Sequence, residues 1–157
     1  MQRYDVIVVG TGGIGSAALY ELAARGVRVL GLDRHPPGHA LGSSHGQTRI
    51  IRQAYFEHPD YVPLAIRAYE GWARLEARSG EKLFEQTGLL QIGPADGLVH
   101  AGVAASAAQH GLDVDHYAPA EIKRRWPIFH PREGTAGLFE SRAGFLHVER
   151  CVLAQCR

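Results

Sequence analysis

The sequence predicts an α/β protein that opens with a Rossmann-like βαβ unit and continues into the start of a second, α+β domain. Three observations predict this fold class: a β-branched run at Val6–Val9, a glycine turn directly after it, and a second apolar run that ends at Asp33. A short run of this kind suits a strand buried on both faces of a parallel sheet. Two such strands joined through a helix form a parallel βαβ unit.

The glycine turn carries a pattern that brings a diphosphate against the backbone. Gly10, Gly12 and Gly15 match G-x-G-x-x-G, whose glycines permit the turn, let the backbone approach a pyrophosphate, and pack helix against strand. The helix predicted to begin at Gly13 points its free N–H groups and its positive dipole end at the same place. Gly13 and Ile14 therefore complete the predicted cofactor-binding turn.

The second strand ends in an acid where a dinucleotide site needs one. Asp33 lies eighteen residues beyond Gly15, about where a carboxylate receives the hydroxyl pair of a ribose. A carboxylate there repels a 2′-phosphate, which favours FAD or NAD over NADP, although the neighbouring Arg34 weakens that preference. The turn alone does not choose between FAD and NAD.

Size and composition exclude several classes of protein. The chain has 157 residues, of which 45% are hydrophobic and 21% charged, and its formal net charge is +1. These values predict a folded domain with no nucleic-acid partner, and no apolar run approaches the roughly 20 residues of a membrane span. The nine histidines are scattered and Cys151 and Cys156 have no metal spacing, so we expect no metal site and reduced thiols in a cytoplasmic protein.

The rest of the chain alternates between helical and extended patterns. A proline- and glycine-rich loop at 34–47 is followed by a β-branched and aromatic stretch at 48–56 that we expect to be extended. If it is extended, Arg49 and Arg52 point to opposite faces, and if it is helical they share one. Further elements are predicted as helices at 58–79, 97–109 (capped by Asp96), 119–126 and from Val148, and as strands near 83–93, 113–117, 137–139 and 144–147.

The chain also carries motifs of a known flavoenzyme family. The stretch GSSHGQTRIIRQAY (42–55), with PDYVPL (59–64), TGLLQIGP (87–94) and RWP (125–127), resembles the monomeric sarcosine oxidase family, which includes N-methyl-L-tryptophan oxidase and L-pipecolate oxidase. The resemblance covers essentially the whole chain and matches the N-terminal part of longer proteins. It implies an FAD-binding domain at 1–82, rejoined by 144–157, and the start of a substrate domain at 83–143.

The resemblance also implies a reaction. Family members bind FAD, oxidise a secondary amino acid at the carbon next to nitrogen and pass the electrons to oxygen, which gives an imine and hydrogen peroxide. The implied partners are therefore a small secondary amino acid and oxygen, and the full-length enzyme is expected to be a monomer. The family attaches its flavin to a cysteine in the later half, and Cys151 and Cys156 do not match that position. The resemblance therefore implies neither covalent attachment nor efficient turnover for these 157 residues alone.

The resemblance assigns roles to individual residues. Arg52 matches an arginine that binds the substrate carboxylate, a task that suits the planar guanidinium. Arg49 and His45 match residues that lie against the flavin, where positive charge favours its reduced anionic form. Three hydroxyl side chains complete the cofactor site: Ser43, Ser44 and Thr48.

Two other functions remain open from the residues. An NAD-dependent dehydrogenase would share the βαβ unit. The absorbance of the bound cofactor separates the two, because oxidised flavin absorbs visible light whereas NAD does not. A non-catalytic remnant that binds dinucleotide weakly is the other alternative.

Overall fold

The computed structural model describes residues 2–157. In this range the helices are α1 (Gly13–Ala24), α2 (Tyr61–Ser79), α3 (Leu98–His110), α4 (Pro119–Arg125) and α5 (Val148–Cys156). The strands are β1 (Val6–Val9), β2 (Val29–Leu32), β3 (Arg49–Ile51), β4 (Phe84–Glu85), β5 (Leu89–Pro94), β6 (Asp115–Tyr117), β7 (Thr135–Glu140) and β8 (Gly144–Leu146).

The chain divides into two compact units. The first consists of Met1–Arg49, Trp72–Glu85 and Leu146–Arg157, and the second of Ile50–Gly71 and Gln86–Phe145. The units assign residues 50–71 differently from the predicted ranges 1–82 and 83–143, and the functions given to those ranges stay predictions.

The first unit contains the predicted βαβ arrangement. β1 and β2 are parallel and in register from the pair Val6 and Val29 to the pair Val9 and Leu32, with α1 between them in sequence. The apolar run begins at Val27, and β2 begins two residues later, at Val29. α5 packs against α1, and the Ser16 hydroxyl donates to Gln155 Oε1 at 2.8 Å. The α/β fold class is therefore confirmed.

The small sheet of the first unit leaves apolar side chains in water. Within residues 2–157, β1 pairs with β2 alone. Val9 is 83% exposed and Ile7 56% exposed, although strands of parallel sheets are usually covered on both faces.

Close packing between helix and strand explains the third glycine of the turn. A Cβ on Gly15 would lie 1.7 Å from the carbonyl oxygen of Gly10, so no side chain fits there. Gly10 itself has φ +93°, a conformation that side-chain-bearing residues rarely adopt. Both glycines are required by geometry that the G-x-G-x-x-G pattern anticipates.

The second unit is built on an antiparallel sheet. β7 lies between β5 and β6, and its residues Glu140 and Phe139 are paired with Leu89 and Asp115 respectively. Its buried core includes Ala54, Val103, Ile122 and Leu138. This sheet confirms the alternation of short strands and helices that the sequence predicts after residue 83.

Two local predictions are wrong in detail. The stretch 48–56 is a strand only over Arg49–Ile51, because the backbone beyond it bonds to side chains instead of a neighbouring strand. Asp96 does not cap α3, whose N-cap is Gly97 and carries no side-chain cap.

In residues 2–157 no helix has the length and apolar character to cross a membrane, and no group of His, Cys, Asp or Glu side chains could hold a metal ion.

Candidate functional site

A cavity of about 300 Å³ lies beside the glycine turn of the first unit. It is bounded by the turn, by the residues that follow β2, by the loop that leads to β3, and by one residue of α5. Its lining residues are Thr11, Gly12, Asp33, Arg34, His35, Gly38, His39, Leu41, Gly42, Ser43, Ser44 and Val152.

The carboxylate of Asp33 joins β2 to the turn. Its Oδ2 accepts the Thr11 N–H at 2.6 Å and its Oδ1 accepts the His35 N–H at 3.1 Å. These amides, Thr11 first, lower the pKa of Asp33 to about 2. His39 Nε2 lies 3.8 Å from Oδ1. Asp33 therefore stays ionised at any physiological pH and can still accept further hydrogen bonds, because each carboxylate oxygen has two lone pairs.

The N-terminus of α1 receives its cap from the loop. Gly12, the N-cap residue, supplies no side chain, and the Ser44 hydroxyl accepts the Gly13 N–H at 2.9 Å. A Cβ on Gly13 would lie 3.0 Å from Ser44 Oγ, and one on Gly12 would lie 3.5 Å from it. Side chains at these glycines would project into the space between helix and loop. The two glycines thus keep a cradle open where helix N–H groups favour an anion.

Two side chains, Glu149 and Arg49, fix the conformation of the loop. The Gly46 N–H donates to Glu149 Oε1 of α5 at 2.9 Å. The Arg49 guanidinium donates to the carbonyl oxygens of Ser43, His45 and Thr48. Arg49 therefore closes the loop on itself and fixes the backbone that presents the two serines to the cavity.

His45 lies in this loop with its side chain exposed. Its Nδ1 is 2.5 Å from the Gly42 carbonyl oxygen, which requires that nitrogen to carry the proton. His45 Nε2 is thus the nitrogen that faces outward from this bond.

Arg52 lies in the second unit. Its guanidinium is 4.5 Å from the Tyr55 ring centroid and 5.6 Å from that of Phe56, and its Nη2 pairs with Glu57 Oε1 at 3.1 Å. Within residues 2–157, Arg52 Nε is buried and has no hydrogen-bond partner. Cation–π contacts and the ion pair with Glu57 therefore hold the guanidinium in place.

The structure brings part of the predicted cofactor set together. The cavity is lined by Gly12, Asp33, Arg34, Ser43 and Ser44. The remaining predicted residues are outside its lining. Gly10, Gly13 and Gly15 shape the turn, and Ile14 is 91% exposed. The Thr48 carbonyl accepts a hydrogen bond from Arg49.

Sequence reasoning missed Thr11 and His39, which also line the cavity. Thr11 stands inside the glycine pattern, at a position for which the pattern specifies no residue type. His39 lies in a loop with no periodic signal, so only the folded chain places it near Asp33.

Comparison with known proteins adds the family. Residues 5–157 match the family described as FAD dependent oxidoreductase. The chain belongs to this family. The family match decides between the two cofactors that the glycine turn leaves open, because FAD is the cofactor of the FAD dependent oxidoreductases.

Two groups of relatives have enzymatic names. The chain is 45% identical to a monomeric sarcosine oxidase of Streptomyces avermitilis over 96% of its own length and 39% of the relative's. It is 41% identical to an N-methyl-L-tryptophan oxidase of Salmonella arizonae over 99% of its length and 42% of the relative's. The resemblance to the sarcosine oxidase group is confirmed. The chain spans about two fifths of the length of these relatives.

Solved structures agree on the fold. NikD, described as an unusual amino acid oxidase essential for nikkomycin biosynthesis, superposes with a TM-score of 0.83 at 28% identity, over 99% of this chain and 40% of NikD. An L-proline dehydrogenase from P. horikoshii gives a TM-score of 0.80 at 23% identity over 99% of this chain and 41% of the dehydrogenase, and shows the same fold.

Proposed function

We propose that the chain forms the N-terminal part of an FAD-dependent oxidase of secondary amino acids such as sarcosine or N-methyl-L-tryptophan, with an imine and hydrogen peroxide as products. The observation that carries the proposal is the glycine cradle at the N-terminus of α1, which adjoins Asp33 and the serine loop. The names of the relatives, which are 41–45% identical, support this substrate class.

The residues of the cavity fit the diphosphate and ribose of FAD. Gly12 and Gly13 leave room for phosphate oxygens at the positive end of α1, where a Cβ would point at Ser44. Ser43 and Ser44 offer hydroxyl donors, and Asp33 offers acceptors for ribose hydroxyls. A volume of about 300 Å³ is at the lower end for ligand pockets, so the cavity suits one portion of a dinucleotide.

FAD, when bound, supplies the acceptor for the two electrons released as a carbon–nitrogen single bond becomes an imine. The protein's task is to hold the substrate and to provide charge. Arg52 is the residue that we assign to the substrate carboxylate, since its planar fork suits bidentate pairing. Its partner Glu57 is exposed, so a substrate carboxylate could replace Glu57 at the guanidinium.

Arg49 and His45 supply charge and order to the loop in this proposal. Arg49 donates to three loop carbonyls, so its cation is held close to the cavity-lining serines. A fixed cation beside a cofactor that gains negative charge stabilises the reduced state. His45 Nε2 adds a donor or acceptor at the outer side of the same loop.

The test is flavin content and peroxide release. The protein is expressed with whatever sequence follows residue 157 in its reading frame, and its visible absorbance is recorded before sarcosine, N-methyl-L-tryptophan or L-pipecolate is added. We expect a yellow protein that releases peroxide in a peroxidase-coupled assay. Arg52→Gln should lose most turnover at low substrate, whereas Arg74→Gln, at an exposed ion pair with Glu21, should retain it. A colourless protein that takes up no FAD contradicts the proposal.

A further inference from the structure

The backbone on both sides of Arg52 is held by hydrogen bonds with side chains of the second unit. Glu140, at the end of β7, is 3% exposed. Its Oε1 accepts the Gln53 N–H at 2.7 Å and its Oε2 accepts the Ala54 N–H at 3.0 Å. One carboxylate therefore binds the two residues that directly follow Arg52.

A second, partly buried side chain binds the residue that precedes Arg52. The Tyr69 hydroxyl of α2 donates to the Ile51 carbonyl at 3.1 Å. Burial, followed by the nearby Glu140 charge, raises the pKa of Tyr69. The phenol therefore remains protonated, which its role as a donor requires.

Helix α3 holds the far end of the segment. The Ser106 hydroxyl donates to the Tyr55 carbonyl. The backbone of α3 also packs closely here, since a Cβ on Gly102 would lie 2.1 Å from the Phe56 carbonyl oxygen. The aromatic rings that support the Arg52 guanidinium belong to the same two residues, Tyr55 and Phe56.

We propose that Glu140 is a positioning residue for Arg52, and that its carboxylate fixes the stretch of backbone from which the guanidinium reaches a substrate carboxylate. This inference rests on the proposed function of Arg52. β3 ends at Ile51, so the amides of Gln53 and Ala54 have no strand partner. Without Glu140 they would be buried donors with no acceptor, and the segment would have to move to satisfy them.

The substitution that tests this is Glu140→Gln. A glutamine keeps one acceptor oxygen but places an NH₂ group against the second N–H, so one of the two amides loses its acceptor. We expect the dissociation constant of methoxyacetate, a carboxylate with no oxidisable amine, to rise about tenfold in the flavin-loaded protein, as read from the flavin absorbance. Hydrogen exchange at Gln53 and Ala54 should accelerate at least tenfold, whereas exchange in α3 should not change.

A matched control exists in the first unit. Glu76 Oε1 likewise accepts two successive amides, Leu83 N–H at 2.7 Å and Phe84 N–H at 3.0 Å. Because both amides bond to Oε1, which a glutamine would keep, the control substitution is Glu76→Leu. It removes this clamp, which has no bond to the Arg52 segment. It should lower thermal stability but leave methoxyacetate affinity unchanged, and an equal loss of affinity in both variants would overturn the inference.

The double variant separates this inference from the proposed function. If Arg52→Ala and Glu140→Gln each weaken methoxyacetate binding and the double variant binds no more weakly than Arg52→Ala, Glu140 acts through Arg52. If Arg52→Ala weakens binding and Glu140→Gln does not, or their effects add fully, the positioning role is refuted and the proposed function stands. If Arg52→Ala leaves binding unchanged, the role proposed for Arg52 fails and this inference with it. Should Glu140→Gln not fold, Tyr69→Phe is judged by the same criteria, with a rise of about threefold expected.

Discussion

An alanine at Gly15 tests the close approach of helix and strand on which the cofactor cradle depends. Its Cβ would lie 1.7 Å from the Gly10 carbonyl oxygen and 3.3 Å from Val8 Cγ1. Observed Cβ contacts essentially never fall below 3.0 Å, so α1 and the turn would have to separate by about 1.3 Å. The contact is with backbone, which has no rotamer to relieve it.

The cost follows from that separation. Overpacking typically costs about 1–3 kcal/mol, and a forced backbone shift falls at the upper end, near 3 kcal/mol. For a chain of this size each kcal/mol lowers the melting temperature by about 2–4 °C, so Gly15→Ala should melt about 6–12 °C below the unsubstituted protein. The same shift moves the helix N-terminus away from the cradle, so FAD affinity should fall as well.

Circular dichroism melts and FAD titration by fluorescence quenching measure the two effects. Gly26→Ala is the matched control: Gly26 has φ +76° and a Cβ there would meet nothing within 4 Å. It carries only backbone strain of about 1–2 kcal/mol, and it should not affect FAD binding. A Gly15→Ala protein with unchanged melting temperature and unchanged FAD affinity would refute the reasoning.

Three other predictions concern single side chains. Gly12→Ala should leave thermal stability nearly unchanged, because its Cβ would make an ordinary 3.5 Å contact. It should weaken the affinity for FAD at least tenfold in the same titration. Equal affinity would exclude phosphate binding at that glycine. Cys151 should resist a thiol reagent at pH 8 while Cys156 reacts, because burial raises the pKa of Cys151 to about 12 and leaves about one part in ten thousand as thiolate; two equally fast thiols in the folded protein would contradict this. Asp33 has its pKa lowered to about 2, so its contribution to stability is full above the unfolded pKa of about 3.9 and is lost as pH falls through 2. The melting temperatures of Asp33→Asn and the unsubstituted protein should therefore converge below pH 4, and a constant gap down to pH 2 would show that the carboxylate is not responsible.

The parts of the fold that depend on local sequence could be predicted. The strand, turn and helix around Gly10 and Gly15 follow from residues within one short stretch, and the αL conformation of Gly111 at the end of α3 follows from its missing side chain. Helix α2 could also be predicted, since Val62 and Leu75 of its apolar stripe are buried.

The parts that depend on distant residues could not. Residues 48–56 have the β-branched and aromatic composition of a strand, yet the amides of Gln53 and Ala54 bond to Glu140, which lies 87 and 86 positions further along the chain. A signal for Glu140 does exist, because it follows the fully buried Leu138 by two positions and therefore shares its face of β7. An acid at such an inward position needs partners, and sequence periodicity alone does not name them.

The same limit applies to the candidate site. The match to known motifs brought Ser43, Ser44 and Arg49 to attention, but their contacts with each other and with Gly13 depend on how the loop folds. Asp33 could be placed at the end of β2 from the spacing, whereas its bond to the Thr11 amide could not.

The exposed apolar face of β1 has a practical consequence for the purification of this polypeptide. Valine and isoleucine side chains that face water at Val9 and Ile7 gain free energy when any other apolar surface covers them. An unpaired strand edge adds backbone groups that can bond to a neighbouring molecule. At high concentration the 157-residue polypeptide should therefore self-associate and scatter light. Samples without a chaotrope should be stored dilute.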